Sequence, residues 1–292
     1  MDIDKNTLRS LVGLASVVEV RDPYTGGHLW RVGQFSKLLA EKAGLESEQV
    51  FRISIGAVLH DLGKVAVPDA VLRKPDKLTD QEYDVIKTHP AVGRELLSSH
   101  PLGHLADDAV YLHHEHISGR GYPEGLAGEG IPLVARIVGL TDAFDAMTST
   151  RPYRQGMPID KALGILTEEK GRQFDAGLVD HFIDLHRSLD RIRHIVGHSD
   201  HGNRLVVCPG CGPIVALPRH FQDGNVAACR NCGNAFVWHR KDDAFEPEFF
   251  GAASADDLRP RAEDESLGEF VEAAPRPRSS FWFGMFSRPS SG

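Results

Sequence analysis

The sequence predicts an all-α domain over residues 1–195, a small β-rich module at 204–240 and a disordered tail at 241–292. Three observations carry this reading. Apolar residues recur with helical period through residues 5–190, and strand-like alternation is nearly absent there. From about Arg204 the runs RLVVC, PIVAL, NVAAC and AFVWH, separated by glycine and proline turns, have the composition of short strands. Beyond Lys241 the chain becomes acidic and then Pro/Ser/Arg-rich, a composition that buries too little apolar surface to order itself.

Taken in order, LRSLVGLASVVEV has the apolar density of a core-facing helix and ends at Arg21-Asp22-Pro23. A second helix, about Gly27 to Ala43, sets His28, Val32, Phe35 and Leu39 on one stripe. FRISIGAVLHDLG is a third, stopped by Gly63. Thr79 and Glu82 have the spacing of a capping box, opening a helix interrupted at His89-Pro90. LADDAVYLHHEH is the next, closed by His113 and His114. Pro132 suits the first position of LVARIVGLTDAFDAMTS, and two further helices follow at IDKALGILTEEK and AGLVDHFIDLHRSL.

A formal net charge of −8 gives no diffuse attraction to nucleic acid, so an anionic substrate needs a local site. The start, MDIDKNTLRS, lacks a secretory signal, and no apolar run is long enough for a membrane span. The four cysteines form two Cys-x-x-Cys pairs, which suggests metal binding in a reducing cytoplasm.

Several residues with the chemistry of metal ligands fall on apolar faces. His60-Asp61 ends an apolar helix, with Lys64 one turn on. His28 and His89 lie on the stripes of their own helices, His113 and His114 precede a glycine-rich turn, and Asp142 and Asp145 share a face with Val138. Unpaired His and Asp on core faces would cost several kcal/mol each, a cost that metal coordination removes. Such a set projecting inward from several helices suits a dinuclear site, for Fe, Mn, Zn or Ni alike.

The order RDPYTGGH (21–28), HDLGK (60–64), His89-Pro90, HHExxxGxGYP (113–123) and TDAFDAMTSTRPYR (141–154) resembles the HD-GYP family of cyclic di-GMP phosphodiesterases over roughly residues 10–190. The resemblance implies an all-α HD-type helical bundle that hydrolyses cyclic di-GMP to pGpG, and onward to GMP. It implies His28, His60, Asp61, His89, His113, His114 and Asp142 as ligands of two divalent metal ions, Fe or Mn foremost, with Asp61 bridging. Lys64, Asp61 and Asp145 would be catalytic. Tyr122, Arg151 and Arg154 would contact the nucleotide or its phosphates, and Gly119 and Gly121 would let the backbone approach it closely. Two positions depart from the family pattern. Tyr24 stands where some members have a Glu that holds a third metal, and Ser118 stands where an Asp or Asn is usual. The alternative reading is a signalling module that binds the dinucleotide or a protein and turns over little.

Cys208, Cys211, Cys229 and Cys232 have the spacing of a zinc ribbon, whose metal would supply the folding energy that so small a core cannot. Glycine after each second cysteine relieves the tight turn. No basic patch accompanies the ribbon, so specific nucleic-acid binding is not expected; a protein partner for the ribbon or the aromatic tail, FWFGMF, fits better.

Overall fold

The computed structural model describes residues 3–21, 27–72, 74, 76–149, 156–188, 192, 195–196, 198–199, 203–210, 214–217, 221–229, 232–242, 244–254, 257 and 264–275. The helical part runs α1 (Lys5–Arg21), α2 (His28–Lys42), α3 (Ser47–Leu59), a 3₁₀ turn (Leu62–Ala66), α4 (Asp69–Leu72), α5 (Asp80–Ile86), α6 (His89–Ser98), α7 (Asp107–Leu112), α8 (Leu133–Thr148), α9 (Ile159–Glu168) and α10 (Ala176–Ser188).

Burial follows the apolar stripes. Leu8, Leu11 and Ala15 of α1, Phe35 and Leu39 of α2, Ile55 and Leu59 of α3, Phe144 of α8 and Phe182 of α10 are fully buried in one cluster. At its centre the rings of Phe35, Phe144 and Phe182 meet edge to face, with centroids 4.8–6.1 Å apart. That cluster fixes α2, α3 and α8 against one another, and these carry or adjoin four of the expected ligands. The capping box forms as the spacing predicts: the Thr79 hydroxyl accepts from the Glu82 amide, and the Glu82 carboxylate accepts from the Thr79 amide.

Three boundaries differ from the sequence reading. Helix α3 ends at Leu59, not at Gly63, which lies inside the 3₁₀ turn. The reason is packing: a Cβ on Gly63 would stand 1.8 Å from the His89 carbonyl oxygen, so the turn is built to press against α6. Pro132 is the N-cap of α8 rather than its first residue. Helix α7 is only Asp107–Leu112, and His113 is its C-cap.

The C-terminal part holds two antiparallel three-stranded sheets. The first is β1 (His198–Ser199), β2 (Asn203–Val207) and β3 (Ile214–Leu217); the second is β4 (Asn225–Ala228), β5 (Asn234–Lys241) and β6 (Ala244–Ala252). Cys208, Val215, Leu217, Cys229, Phe236 and Trp238 make its small core.

Strand β6 corrects the expected boundary at 240, and a further helix, α11 (Asp264–Glu272), corrects the expectation of a tail without structure from 241. The acid-rich stretch AFEPEFFGA reads poorly as a strand because its side chains are mostly exposed. Its order comes from main-chain pairing with β5, Lys241 opposite Ala244 through Asn234 opposite Ala252. Helix α11 buries just Phe270 and Val271 among its described side chains, too few to announce a core helix in sequence. Residues 276–292 lie outside the described residues.

Candidate metal centre

Five segments deliver the site. His28 opens α2, His60 and Asp61 form the turn after α3, His89 opens α6, His113 and His114 follow α7, and Asp142 sits within α8. His28, His60, Asp61, His89 and His113 are buried, and the structure brings all seven expected ligands into one cavity.

The cavity has two halves. In one, His28 Nε2 lies 3.3 Å from His60 Nε2 and 3.4 Å from Asp142 Oδ1. In the other, His89 Nε2 lies 3.4 Å from His113 Nε2, with His114 beside them. Asp61 stands between: its Oδ2 is 3.5 Å from His28 Nε2 and 3.4 Å from His60 Nε2, while its Oδ1 is 3.5 Å from His89 Nε2. Each carboxylate oxygen therefore faces a different half.

Main-chain and carboxylate acceptors orient the rings. His60 Nδ1 donates to the Ala57 carbonyl at 2.6 Å, His89 Nδ1 to Ile86 at 2.8 Å and His113 Nδ1 to Ala109 at 2.9 Å. With the proton fixed on Nδ1, each Nε2 offers a lone pair to the cavity. The His89 and His113 lone pairs, facing each other at 3.4 Å, repel unless a cation lies between them. Atoms bound at about 2.1 Å to one ion would stand roughly 3.0–3.4 Å apart, so the residues fit a divalent metal in each half.

Electrostatics separate the halves. Burial pushes His113 well below its ordinary value, His89 to about 4 and His114 to about 3, so all three are neutral, as ligands must be. At His28 burial again opposes charge, but hydrogen bonds to Asp145 and Asp61 outweigh it and raise the ring to about 9. Positive charge is favoured at His28 Nε2, where a cation would lie. Burial disfavours charge on Asp61 too, yet Lys64, His60 and His28 hold it well below the usual carboxylate range.

Asp145, expected among the catalytic groups, stands behind His28 instead. Its Oδ2 accepts from His28 Nδ1 at 2.8 Å, and its Oδ1 accepts from Arg31 Nε at 2.6 Å. Arg31 is 1% exposed and also donates to Ser149 Oγ at 3.1 Å. The sequence reading missed Arg31, although an arginine three residues after His28, near the same apolar stripe, was a usable signal. Lys64 reaches the cavity from one turn beyond: its Nζ is 2.6 Å from Asp61 Oδ2.

The glycine-rich turn differs in detail from the expectation. Tyr122 stacks on His114, centroids 4.7 Å apart and planes 24° from parallel. Gly119 takes a positive φ of 76°, which a turn requires. Gly121 serves packing instead, since a Cβ there would lie 2.4 Å from both Glu115 Cα and the His116 nitrogen. Glu115 is structural: Oε1 accepts from the amides of Glu124 and Gly125 at 2.7 and 3.0 Å. Ser118 is exposed and held through its backbone, donating to the Arg172 carbonyl at 2.9 Å. Arg151, Arg154 and Tyr24 lie outside the described residues.

In the C-terminal module Cys208, Cys229 and Cys232 cluster, and Cys208 Sγ is 3.7 Å from Cys232 Sγ. That is far beyond a disulfide bond and close to the edge of a thiolate tetrahedron with about 2.3 Å metal–sulfur bonds. Cys211 lies outside the described residues. Among the described residues no helix is long and apolar enough to cross a membrane.

A family model described as "HD domain" matches residues 14–178. The chain is 42% identical over 193 residues to the cyclic di-GMP phosphodiesterase response regulator RpfG of Xanthomonas campestris pv. campestris, covering 65% of this chain and 51% of the relative. It is 35% identical over 198 residues to 3'3'-cGAMP-specific phosphodiesterase 2 of Vibrio cholerae serotype O1, covering 65% of this chain and 38% of that protein. Among solved structures it is similar to Bd1817, an HDG"Y"P protein from Bdellovibrio bacteriovorus, with a TM-score of 0.48, 22% identity, and 56% and 53% of the two chains covered. The chain thus spans about half or less of the length of these curated relatives.

Proposed function

The chain belongs to the HD domain family, and on that premise we propose that it is a metal-dependent phosphodiesterase that linearises cyclic di-GMP to pGpG and carries it on to GMP. The observation that carries the reading is Asp61, whose two oxygens each face a separate cluster of ligands. His28, His60 and Asp142 would hold one divalent ion, and His89, His113 and His114 the other, with Asp61 shared. Iron or manganese suits this nitrogen- and oxygen-rich set. Two such ions would neutralise the phosphodiester's charge and make water nucleophilic at neutral pH.

The chain's own groups do the rest. Asp145, anchored by Arg31, keeps the proton on His28 Nδ1 and so holds Nε2 toward the cavity. Lys64 holds Asp61 ionised and adds positive charge beside the developing phosphoryl charge. Tyr122, braced on His114, forms a wall for a guanine nucleotide, and Arg151 and Arg154 would meet its phosphates. In the C-terminal module Cys208, Cys211, Cys229 and Cys232 would bind one structural zinc. A cytoplasmic location goes with this reading, because thiolate ligands persist in a reducing compartment.

The test is anaerobic purification, metal counting, and incubation with cyclic di-GMP and 3'3'-cGAMP, with products separated by chromatography. Two metals per chain in the helical domain and cleavage of cyclic di-GMP are expected. Tight binding without cleavage would sink the enzyme reading in favour of a binding module, and preferential cleavage of 3'3'-cGAMP would reassign the substrate.

A further inference from the structure

Helix α11 lies beyond the region that matches the family, which ends at residue 178, yet it packs on α1, α2 and α3. The buried Phe270 ring is seated on α2 where that helix has Gly33. A Cβ on Gly33 would lie 2.7 Å from Phe270 Cζ and 3.0 Å from Val58 Cγ2 of α3, so the ring wedges into the seam between α2 and α3. Glu269 accepts from Trp30 Nε1 at 2.7 Å and from Gln34 Nε2, both on α2. Glu272 pairs with Lys5 of α1 at 2.5 Å.

Resting on the dinuclear reading above, we infer that Phe270 and Glu269 of α11 are positioning residues for the His28–His60 half of the metal centre. The faces of α2 carry the argument. Trp30, Gly33 and Gln34 stand at i, i+3 and i+4, one face of the helix, and α11 grips that face. His28 and Arg31 stand at i and i+3 on another face, which holds Asp145 at the metal centre. Gly33 is only about 7.5 Å along the helix axis from His28. On α3, Val58 precedes His60 by two residues and adjoins Ala57, whose carbonyl accepts from His60 Nδ1 at 2.6 Å. The wedge therefore sets the rotation and separation of two helices close to where each presents its ligand. Gly33 has no side chain of its own to fill the seam, so deleting the ring leaves a gap that only a shift of α2 or α3 can close. The other half has different support: His89 opens α6 and His113 follows α7, and these helices pack on the 3₁₀ turn and on each other.

The test is chelator competition on the full-length protein loaded with Mn²⁺. Two release steps are expected, and the one lost in Asp142→Ala is the His28–His60 half. Phe270→Ala should weaken that step by about 10-fold, the low end of what losing support behind a ligand costs, and leave the other step in place. Phe270→Leu should restore most of the affinity. Glu269→Ala, which frees Trp30 and Gln34 without opening the core, should shift the same step in the same direction; it decides the matter if Phe270→Ala does not fold. Leu166→Ala, a fully buried truncation in α9, should lower the thermal midpoint and move neither step. Release unchanged in Phe270→Ala and Glu269→Ala would overturn the inference, as would both steps weakening alike in proportion to the thermal midpoint. A parent without two release steps would refute the dinuclear reading itself, and this inference with it.

Discussion

The two candidate metal sites of this protein rest on different supports. In the helical domain the ligands stand on segments already fixed by a large apolar core, and their Nδ1 atoms are already engaged. In the C-terminal module the cysteines belong to the core, since Cys208 and Cys229 are buried beside Val215, Leu217, Phe236 and Trp238. The first site is built by the fold and would lend it chemistry. The second would be part of what makes its fold stable, because so few apolar side chains cannot offset the chain entropy. Removing metal should therefore silence one region and unfold the other.

The largest effect expected is on activity. His60→Ala combined with Asp61→Ala should reduce cyclic di-GMP hydrolysis to background and lower the metal content, with the helical circular dichroism retained. Hydrolysis unchanged by this double variant would refute the site, and global unfolding would break the contrast with the ribbon. Next in size, Cys208→Ser or a strong chelator should expose 203–252 to protease while the thermal transition of the helical domain stays in place. A ribbon equally resistant with and without zinc would show that both modules are held by apolar cores alone.

Smaller effects sharpen the comparison. Asp145→Asn should weaken metal binding on the His28 side by about 10–100-fold, measured by chelator competition, because His28 loses its ionised acceptor. Gly121→Ala should push the turn off Glu115 and His116 and so raise KM more than it lowers metal content.

The least effect is structural and pH-dependent. Asp175 caps α10 by accepting from the Leu178 amide at 3.1 Å and pairs with Arg136 at 2.7 Å. Burial opposes its charge, but these partners win and lower its pKa. A depressed folded-state pKa stabilises above the unfolded value of about 3.9 and loses that stability as pH falls through the folded one. Asp175→Ala should cost about 1 kcal/mol at pH 7 in urea unfolding, and the gap to the parent should close below about pH 4. A constant gap down to pH 2 would mean that packing, not charge, is what Asp175 contributes.

Much of the site was legible because its residues carry their chemistry in local patterns. The pair His60-Asp61 at a helix end, the doublet His113-His114 and the stripe bearing His28 each marked themselves, and their order matched a known family. The cysteine pairs did the same. What stayed hidden depends on partners distant in sequence. Asp145 looked like a catalytic group until Arg31 and His28 were seen to take its oxygens. Gly63, read as a helix stop, proved to be where α6 approaches. Strand β6 and helix α11 were invisible because neither has a self-sufficient apolar pattern.

The sequence by itself determined the helical class of residues 5–190 and the ligand types, since these follow from side-chain chemistry and local period. Only the tertiary structure decided which carboxylate orients a ring, which arginine anchors it, and where the C-terminal helix binds. Those outcomes depend on distances between segments far apart in the chain, fixed by close packing: by Gly63 against His89, Gly139 against His113 and Gly33 against Phe270.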